Sequence, residues 1–325
     1  MISKRPQWVE DSEADIDRFW EEAQLGLVGY KSGFASIDRA FDLIQPGFHL
    51  IGGDSNVGKS SFVCQLAYQL AVNNKDLFIL DLSLDDPKRD RICRYLAQTG
   101  RIMINCTKKP NDYAERFPSM VGRLPETIAK LKAISDRLQI YDSSSMGNAV
   151  EDLGDLIRKR YLDLQSLPIP QNLAVILDNF HDLSTHHPSA NNSDKAKYSY
   201  IAQYVSDLAI ECDIPIICTA EYRKMNGFRR PIVDDIREAV KIKYEAKSII
   251  LTHSDVACRE EMAGVYFEVD GNLGKKPVLE AHVAKNKYSS YKGRLFFEFY
   301  PELAYFEEPD EESQARYRQA VYSSE

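Results

Sequence analysis

The sequence predicts an α/β fold: a mainly parallel central sheet flanked by helices, with antiparallel strands at its C-terminal edge. Three observations carry this. Short runs that are apolar on both faces, FHLIG (48–52), LFILDL (77–82), LAVILD (173–178), IPIICTA (214–220) and SIILT (248–252), alternate with stretches of helical spacing. That is how a parallel sheet covered on both sides reads. After about Val265 the pattern changes to the shorter alternating runs VYFEV, VLEAHVA and RLFFEF, punctuated by Gly271, Gly274 and Gly293. Between the first strand and the first helix of the alternating series lies the glycine-bearing run GDSNVGKS (53–60).

Taken in order, the elements have these grounds. In 12–27, Ile16, Phe19, Trp20, Ala23 and Leu25 stand among acids at spacings close to one helical face, so this helix either packs on its own domain or docks on a neighbouring subunit. Behind 53–60, Phe62, Val63, Leu66, Ala67, Leu70 and Ala71 repeat at helical spacing. Segment 101–137 is mostly helical in pattern, broken by prolines after Phe117 and Leu124, and reads as an insertion between strands. Segment 186–198, HHPSANNSDKAKY, is polar and rich in turn formers, so an exposed, mobile loop is expected. There is no internal repeat.

Composition narrows the class. The 325 residues are 44% apolar and 28% charged, close to the average for folded soluble chains. No apolar run approaches the roughly 18 to 20 residues of a membrane span. The N-terminus turns acidic where a signal peptide would be apolar, and the six cysteines show no close pairing, which points to a reducing cytoplasm. A net charge of −8 argues against a nucleic-acid partner until it is divided along the chain. Residues 1–27 hold seven acids and three bases, and 301–325 hold seven acids and two bases, which leaves 28–300 at +1.

Gly53, Asp54, Ser55, Asn56, Val57, Gly58, Lys59 and Ser60 fit GxxxxGK[ST], with Ser61 following. A strand before and a helix after supply the context in which backbone N–H groups face phosphates, Lys59 neutralises the β/γ oxygens and Ser60 binds Mg²⁺. The loop is therefore read as a nucleotide-binding site. Such a site needs a carboxylate for Mg²⁺ at the end of a neighbouring buried strand, and Asp178 closes LAVILD. Asp85 is the candidate for orienting the attacking water, with Asp81 and Asp86 as rivals. Asp-Asp-Pro is also a good helix cap, so a structural role for Asp85 stays open. His181, His186 and His187 lack cysteine or acid partners at ligand spacing and are assigned no metal.

With these pieces in order, the chain resembles the RecA-like ATPase domain of the DnaB family of hexameric replicative helicases. SGFASIDRAFDLIQPGFHLIGG (32–53) resembles the family's TGF.DLD stretch leading through QPG, and LDLSLDDP stands where the family has FSLEMP. IPIICTAEYRK (214–224) resembles the strand ending in SQLNR, RRPIVDDIREA (229–239) the RPxxSDLRES loop, and AKNKYSSYKGRLFFEF (284–299) the AKQRNGPTG strand and its return. The resemblance implies a RecA-like P-loop NTPase core over 28–300, between an acidic linker or docking helix (1–27) and an acidic tail (301–325). It places Asp85 at the family's catalytic glutamate, Glu221 at its γ-phosphate-sensing glutamine, and Lys285 and Lys287 at the basic pair that reaches into the neighbouring subunit's site. Arg237 and Glu238 match the loop that contacts single-stranded DNA in the central channel, and Val240 replaces a glycine there. Arg223, Lys224, Arg229 and Arg230 lie just before it, as a solvated face or as further DNA contacts.

The resemblance thus implies an Mg²⁺- and ATP-dependent hexameric ring moving on single-stranded DNA, with replication or recombination proteins as candidate partners and no membrane. About 30 residues precede 32–53, too few for the family's helical N-terminal domain, so a phage, plasmid or accessory version is expected. The KNK triplet at 285–287 also resembles KNR of RadA. A RadA- or KaiC-like ATPase that assembles without processive unwinding, and a nucleotide-binding recruitment module, are the alternatives.

Overall fold

The computed structural model describes residues 7–24, 29–224, 229–269 and 274–324, without the side chains of 7–10, 22, 191, 239, 240 and 324. The expected end of the first helix, 25–27, and Gly271 therefore lie outside the described residues, as does the side chain of Val240.

A ten-stranded sheet forms the frame. Its strands are β1 (Gly47–Gly53), β2 (Leu77–Ser83), β3 (Leu138–Asp142), β4 (Asn172–Asp178), β5 (Pro215–Glu221), β6 (Ser248–His253), β7 (Tyr266–Phe267), β8 (Lys276–Asn286), β9 (Gly293–Tyr300) and β10 (Tyr305–Glu307). Their order is β10-β9-β8-β6-β1-β5-β4-β2-β3, with β7 beside β8. The six strands from β6 to β3 are mutually parallel, while β7 to β10 are antiparallel additions. Every run whose pattern predicts a strand forms one. LQIYD and YFE, which the pattern does not mark, add β3 and β10.

Helices connect the strands: α1 (Gln7–Gln24), α2 (Ala35–Phe41), α3 (Lys59–Asn73), α4 (Lys88–Gly100), the short α5 (Ile104–Lys108), α6 (Pro110–Tyr113) and α7 (Pro118–Gly122), then α8 (Leu124–Lys132), α9 (Ser143–Met146), α10 (Val150–Gln165), α11 (Asp194–Glu211), α12 (Ala239–Glu245), α13 (Asp255–Arg259) and α14 (Glu311–Ser324). The insertion between β2 and β3 is a cluster of short helices, with Pro118 and Pro125 near helix starts, where a missing N–H costs nothing.

Because successive strand residues face opposite sides, β1 sends Phe48 and Leu50 into a core shared with α10 and α11, and Ile51 into a second core shared with α3. Both faces are thus buried, which explains the unbroken apolar runs. The polar stretch 186–198 is more ordered than expected: Pro188–Asn192 forms a 3₁₀ turn, and α11 begins at Asp194 with the Ser193 hydroxyl accepting from the N–H of Ala196 at 3.2 Å. Of the acidic segment 301–325, the described residues 301–324 are built into the fold. Phe306 is fully buried on β10, and Tyr317 and Val321 of α14 pack on Val265, Phe267, Val278 and Phe296. On α1 the apolar stripe faces solvent, with Ile16 and Phe19 each 65% and Trp20 60% exposed. None of these three packs on the rest of the chain among the described residues.

Candidate functional site

Strand register brings the site together. Gly53 pairs with Glu221 across β1 and β5, and Ser83 with Asp178 across β2 and β4, so the C-terminal ends of four strands open at one level. Ligands of open parallel sheets bind at that edge. A cleft of about 500 Å³ lies there, lined by Ser55, Asn56, Gly58, Lys59, Ser60, Ser61, Asp85, Asp178 and Glu221 from the sequence reading, together with Asp86, Arg94, Asn179, Phe299 and Pro301.

The phosphate loop is shaped by two glycines. A Cβ on Gly53 would collide with Thr252 Oγ1, and Gly58, with φ +96°, turns the chain into α3 where a Cβ would press Phe299 and Phe306 at 3.0 Å. Val57 is buried beneath the loop. Lys59 folds back, its Nζ donating to the carbonyls of Gly53 at 2.8 Å and Asp54 at 2.7 Å. Burial lowers its pKa, against the pull of Asp178 and Glu221. The free N–H groups that begin α3 face the same space.

Asp178 is buried at the cleft floor. Burial would raise its pKa, but Arg91 and hydrogen bonds from Thr219 and Ser60 outweigh that and hold it below the usual carboxylate range. Hydroxyl and carboxylate oxygens side by side, next to open space for phosphates, are the hard donors Mg²⁺ takes, and this ion needs only one or two protein ligands. The set fits Mg²⁺. Of the three acids near β2, Asp81 is fully buried against Arg91 and Tyr95, and Asp86 pairs with Arg94. That leaves Asp85 facing the cleft, its pKa raised by partial burial and by repulsion from Asp86, Asp178 and Glu221. It caps no helix: α4 starts after Pro87 with no side-chain cap.

Behind Glu221, two backbone hydrogen bonds and a histidine bridge strap the 235–237 loop to the end of β5. The N–H of Arg237 donates to the Glu221 carbonyl at 3.1 Å, and that of Arg223 to the Asp235 carbonyl at 2.8 Å. His181 supplies the bridge with two more: its Nδ1 accepts from the Glu221 N–H at 3.0 Å, so Nε2 carries the proton it donates to the Arg237 carbonyl at 3.0 Å. Burial lowers the His181 pKa and keeps the ring neutral.

The basic residues of this region separate. Arg223, Lys224 and Arg237 are exposed, beside exposed Glu238 in a left-handed conformation at φ +53°. Arg229 is clamped on Asp235, with two bonds of 2.6 Å. Arg230 is withdrawn into an ion pair with buried Glu280, so its charge serves the fold instead of a solvated face. Lys285 and Lys287 stand apart from the cleft, near the opposite end of the sheet. Lys285 pairs with Ile249 near the start of β6, and its Nζ donates to the carbonyls of Lys243 and Tyr244.

Sequence reasoning did not find Arg91, Arg94, Thr219 or the His181 bridge. No spacing rule links Arg91 to Asp81 or Asp178.

The sequence matches the family described as "DnaB-like helicase C terminal domain" over residues 29–308. No curated protein matches it. Among solved structures, one described as an ATPase domain superposes with a TM-score of 0.75 at 21% identity, over 93% of this chain and 99% of the other. A second, described as a DnaB-like replicative helicase and its interactions with primase, gives 0.73 at 20% identity over 87% of this chain. This chain spans 64% of that helicase's length. The fold, its phosphate loop and the extent of the family match agree: the chain belongs to the DnaB-like helicase C-terminal domain family.

Proposed function

We propose that the chain is the Mg²⁺-dependent ATPase subunit of a ring that moves along single-stranded DNA during replication. The supporting observation is the cleft that gathers the phosphate loop, Asp178, Asp85 and Glu221 at one sheet edge. In this reading Lys59 leaves the carbonyls of Gly53 and Asp54 for the β/γ oxygens of ATP, and the N–H groups opening α3 take the remaining phosphate charge. Ser60 and Asp178 hold Mg²⁺, which when bound neutralises charge developing on the transferred phosphoryl group. Asp85 orients the attacking water and takes its proton. Glu221 faces the γ-phosphate and passes its position to Arg237 through the straps. Arg223, Lys224 and Arg237 meet the DNA backbone, with Glu238 and Arg229 beside them.

Two features support assembly. Lys285 and Lys287 lie too far from this chain's own cleft to serve it, and fit a neighbour's. The exposed stripe of α1 supplies an apolar face for a second copy, and membership of the DnaB-like family makes a hexamer the expected ring. The six free cysteines accord with a reducing cytoplasm, and no described helix is long and apolar enough to cross a membrane. Phosphate release with and without single-stranded DNA, beside strand displacement on a fork, tests the proposal, with Lys59→Ala as the blank. Turnover equal to that of the blank refutes it. A second reading, an ATPase that assembles on DNA without processive unwinding, is favoured by the carboxylate of Glu221 at the γ-phosphate position and by the withdrawal of Arg230 into an ion pair. DNA-stimulated turnover without displacement selects it.

A further inference from the structure

Arg91 is a fully buried guanidinium beneath the Mg²⁺ carboxylate. Its Nε and Nη2 donate to the two oxygens of Asp81 at 2.9 and 2.8 Å, and Tyr95 donates to Asp81 Oδ2 at 2.7 Å. With that fork fixed, Nη1 points at Asp178 and donates to Oδ2 at 2.6 Å. Thr219 donates to the other oxygen, Oδ1.

We infer that Arg91 is a positioning residue of the metal centre: clamped by Asp81 and Tyr95, it fixes the Asp178 carboxylate in the orientation that meets Ser60. This rests on the reading of Ser60 and Asp178 as the Mg²⁺ site. Stability alone is a poor reason for the arrangement, because a buried ion pair is often no better than apolar side chains of similar volume. Orientation is a better one, since partners behind a metal ligand fix its geometry and their removal weakens metal binding. Charge is balanced as well. Asp81 offsets Arg91, so the cation still sees about one net negative charge, that of Asp178. The grip needs a planar fork with three aimed donors, which lysine lacks. Arg91 also sits on the helix that carries Arg94, the partner of Asp86, so α4 anchors both the metal carboxylate and the turn holding Asp85.

The test removes the clamp as a neutral unit: Asp81→Leu, Arg91→Met and Tyr95→Phe together leave the net charge unchanged and no hydroxyl unpaired, and they leave Asp178 to the hydroxyls of Thr219 and Ser60 alone. Mn²⁺ binding to the full chain with ADP is read by electron paramagnetic resonance, and folding by thermal melting. The expected result is Mn²⁺ binding weaker by about tenfold or more, with metal-free ADP affinity unchanged. Equal Mn²⁺ affinity in a folded variant overturns the inference. Should the triple variant not fold, Arg91→Lys decides: weaker Mn²⁺ binding supports the positioning role, and unchanged binding overturns it. Ser60→Ala and Asp178→Asn are the separate controls. If neither weakens Mn²⁺ binding, the metal-site reading itself has failed.

Discussion

Arg230 and Arg237 stand seven residues apart and would look alike in a charge census, yet the structure predicts opposite phenotypes. Arg230 is 7% exposed and donates to Glu280, whose side chain is fully buried, at 2.7 and 3.0 Å. Arg230→Ala strands that carboxylate with Arg294 at 3.9 Å as the cation left beside it. Breaking a buried pair from one side costs about 3 to 5 kcal/mol. The remaining arginine argues for the lower figure, about 3 kcal/mol. At about 2 °C per kcal/mol, the figure toward which larger domains tend, melting falls by about 6 °C. Arg237 is exposed and its side chain has no hydrogen-bond or ion-pair partner among the described residues. Arg237→Ala should therefore change stability by less than about 0.5 kcal/mol. It should instead weaken binding to a labelled single strand and lower the salt slope by about 0.7 for each phosphate no longer neutralised. Calorimetry and anisotropy at several salt concentrations read both. The reasoning is refuted if Arg230→Ala melts with the wild type while losing as much DNA affinity as Arg237→Ala.

Lys59→Ala should cut ATP turnover by about two to three orders of magnitude, the usual cost of removing a charge-stabilising donor, with phosphate release as the readout. In the proposed role of base Asp85 must be ionised, and its pKa lies above the ordinary 3.8. Turnover should therefore fall as pH drops through that raised value, and Asp85→Asn should abolish the limb together with most of the rate; a limb that persists in Asp85→Asn assigns it elsewhere. His181→Ala removes two hydrogen bonds of the strap, and should reduce the stimulation of turnover by single-stranded DNA more than the DNA-free rate. Deleting residues 1–24 should leave melting near the wild-type value, because the α1 stripe packs on nothing described, and should lower the mass measured in solution with a non-hydrolysable ATP analogue. Rings of undiminished mass would remove α1 from assembly.

Most of the frame and the phosphate loop are legible in the sequence for two reasons. A strand buried on both faces must be apolar throughout, and a phosphate loop must carry glycines where side chains would collide. β3 and β10 obey neither rule. LQIYD is an edge strand, only partly buried, and YFE is three residues inside an acidic stretch whose charge reads as solvated. Asp178 can be found because it ends an apolar run. Arg91 cannot, because its partners lie 10 and 87 residues away and meet only through strand register. Charge misleads in both directions: it marks 301–325 as a tail although two aromatic anchors hold it, and it groups Arg230 with arginines that face water.

The phosphate loop is completed by residues that follow it in the chain by some 241 positions. Glu308 accepts the first N–H groups of α2, from Ala35 at 2.8 Å and Ser36 at 2.7 Å, and Gln65 on α3 exchanges two hydrogen bonds of 2.8 Å with the backbone of Phe306. Phe299 and Phe306 also roof Gly58. The loop encoded among the first sixty residues is thus finished by residues past 300. A ribosome releasing this chain from its N-terminus delivers the nucleotide loop well before its roof. Nucleotide binding is then a test of completion: a chain cut short before Phe306 carries the whole GDSNVGKS motif and lacks the surface that shapes it.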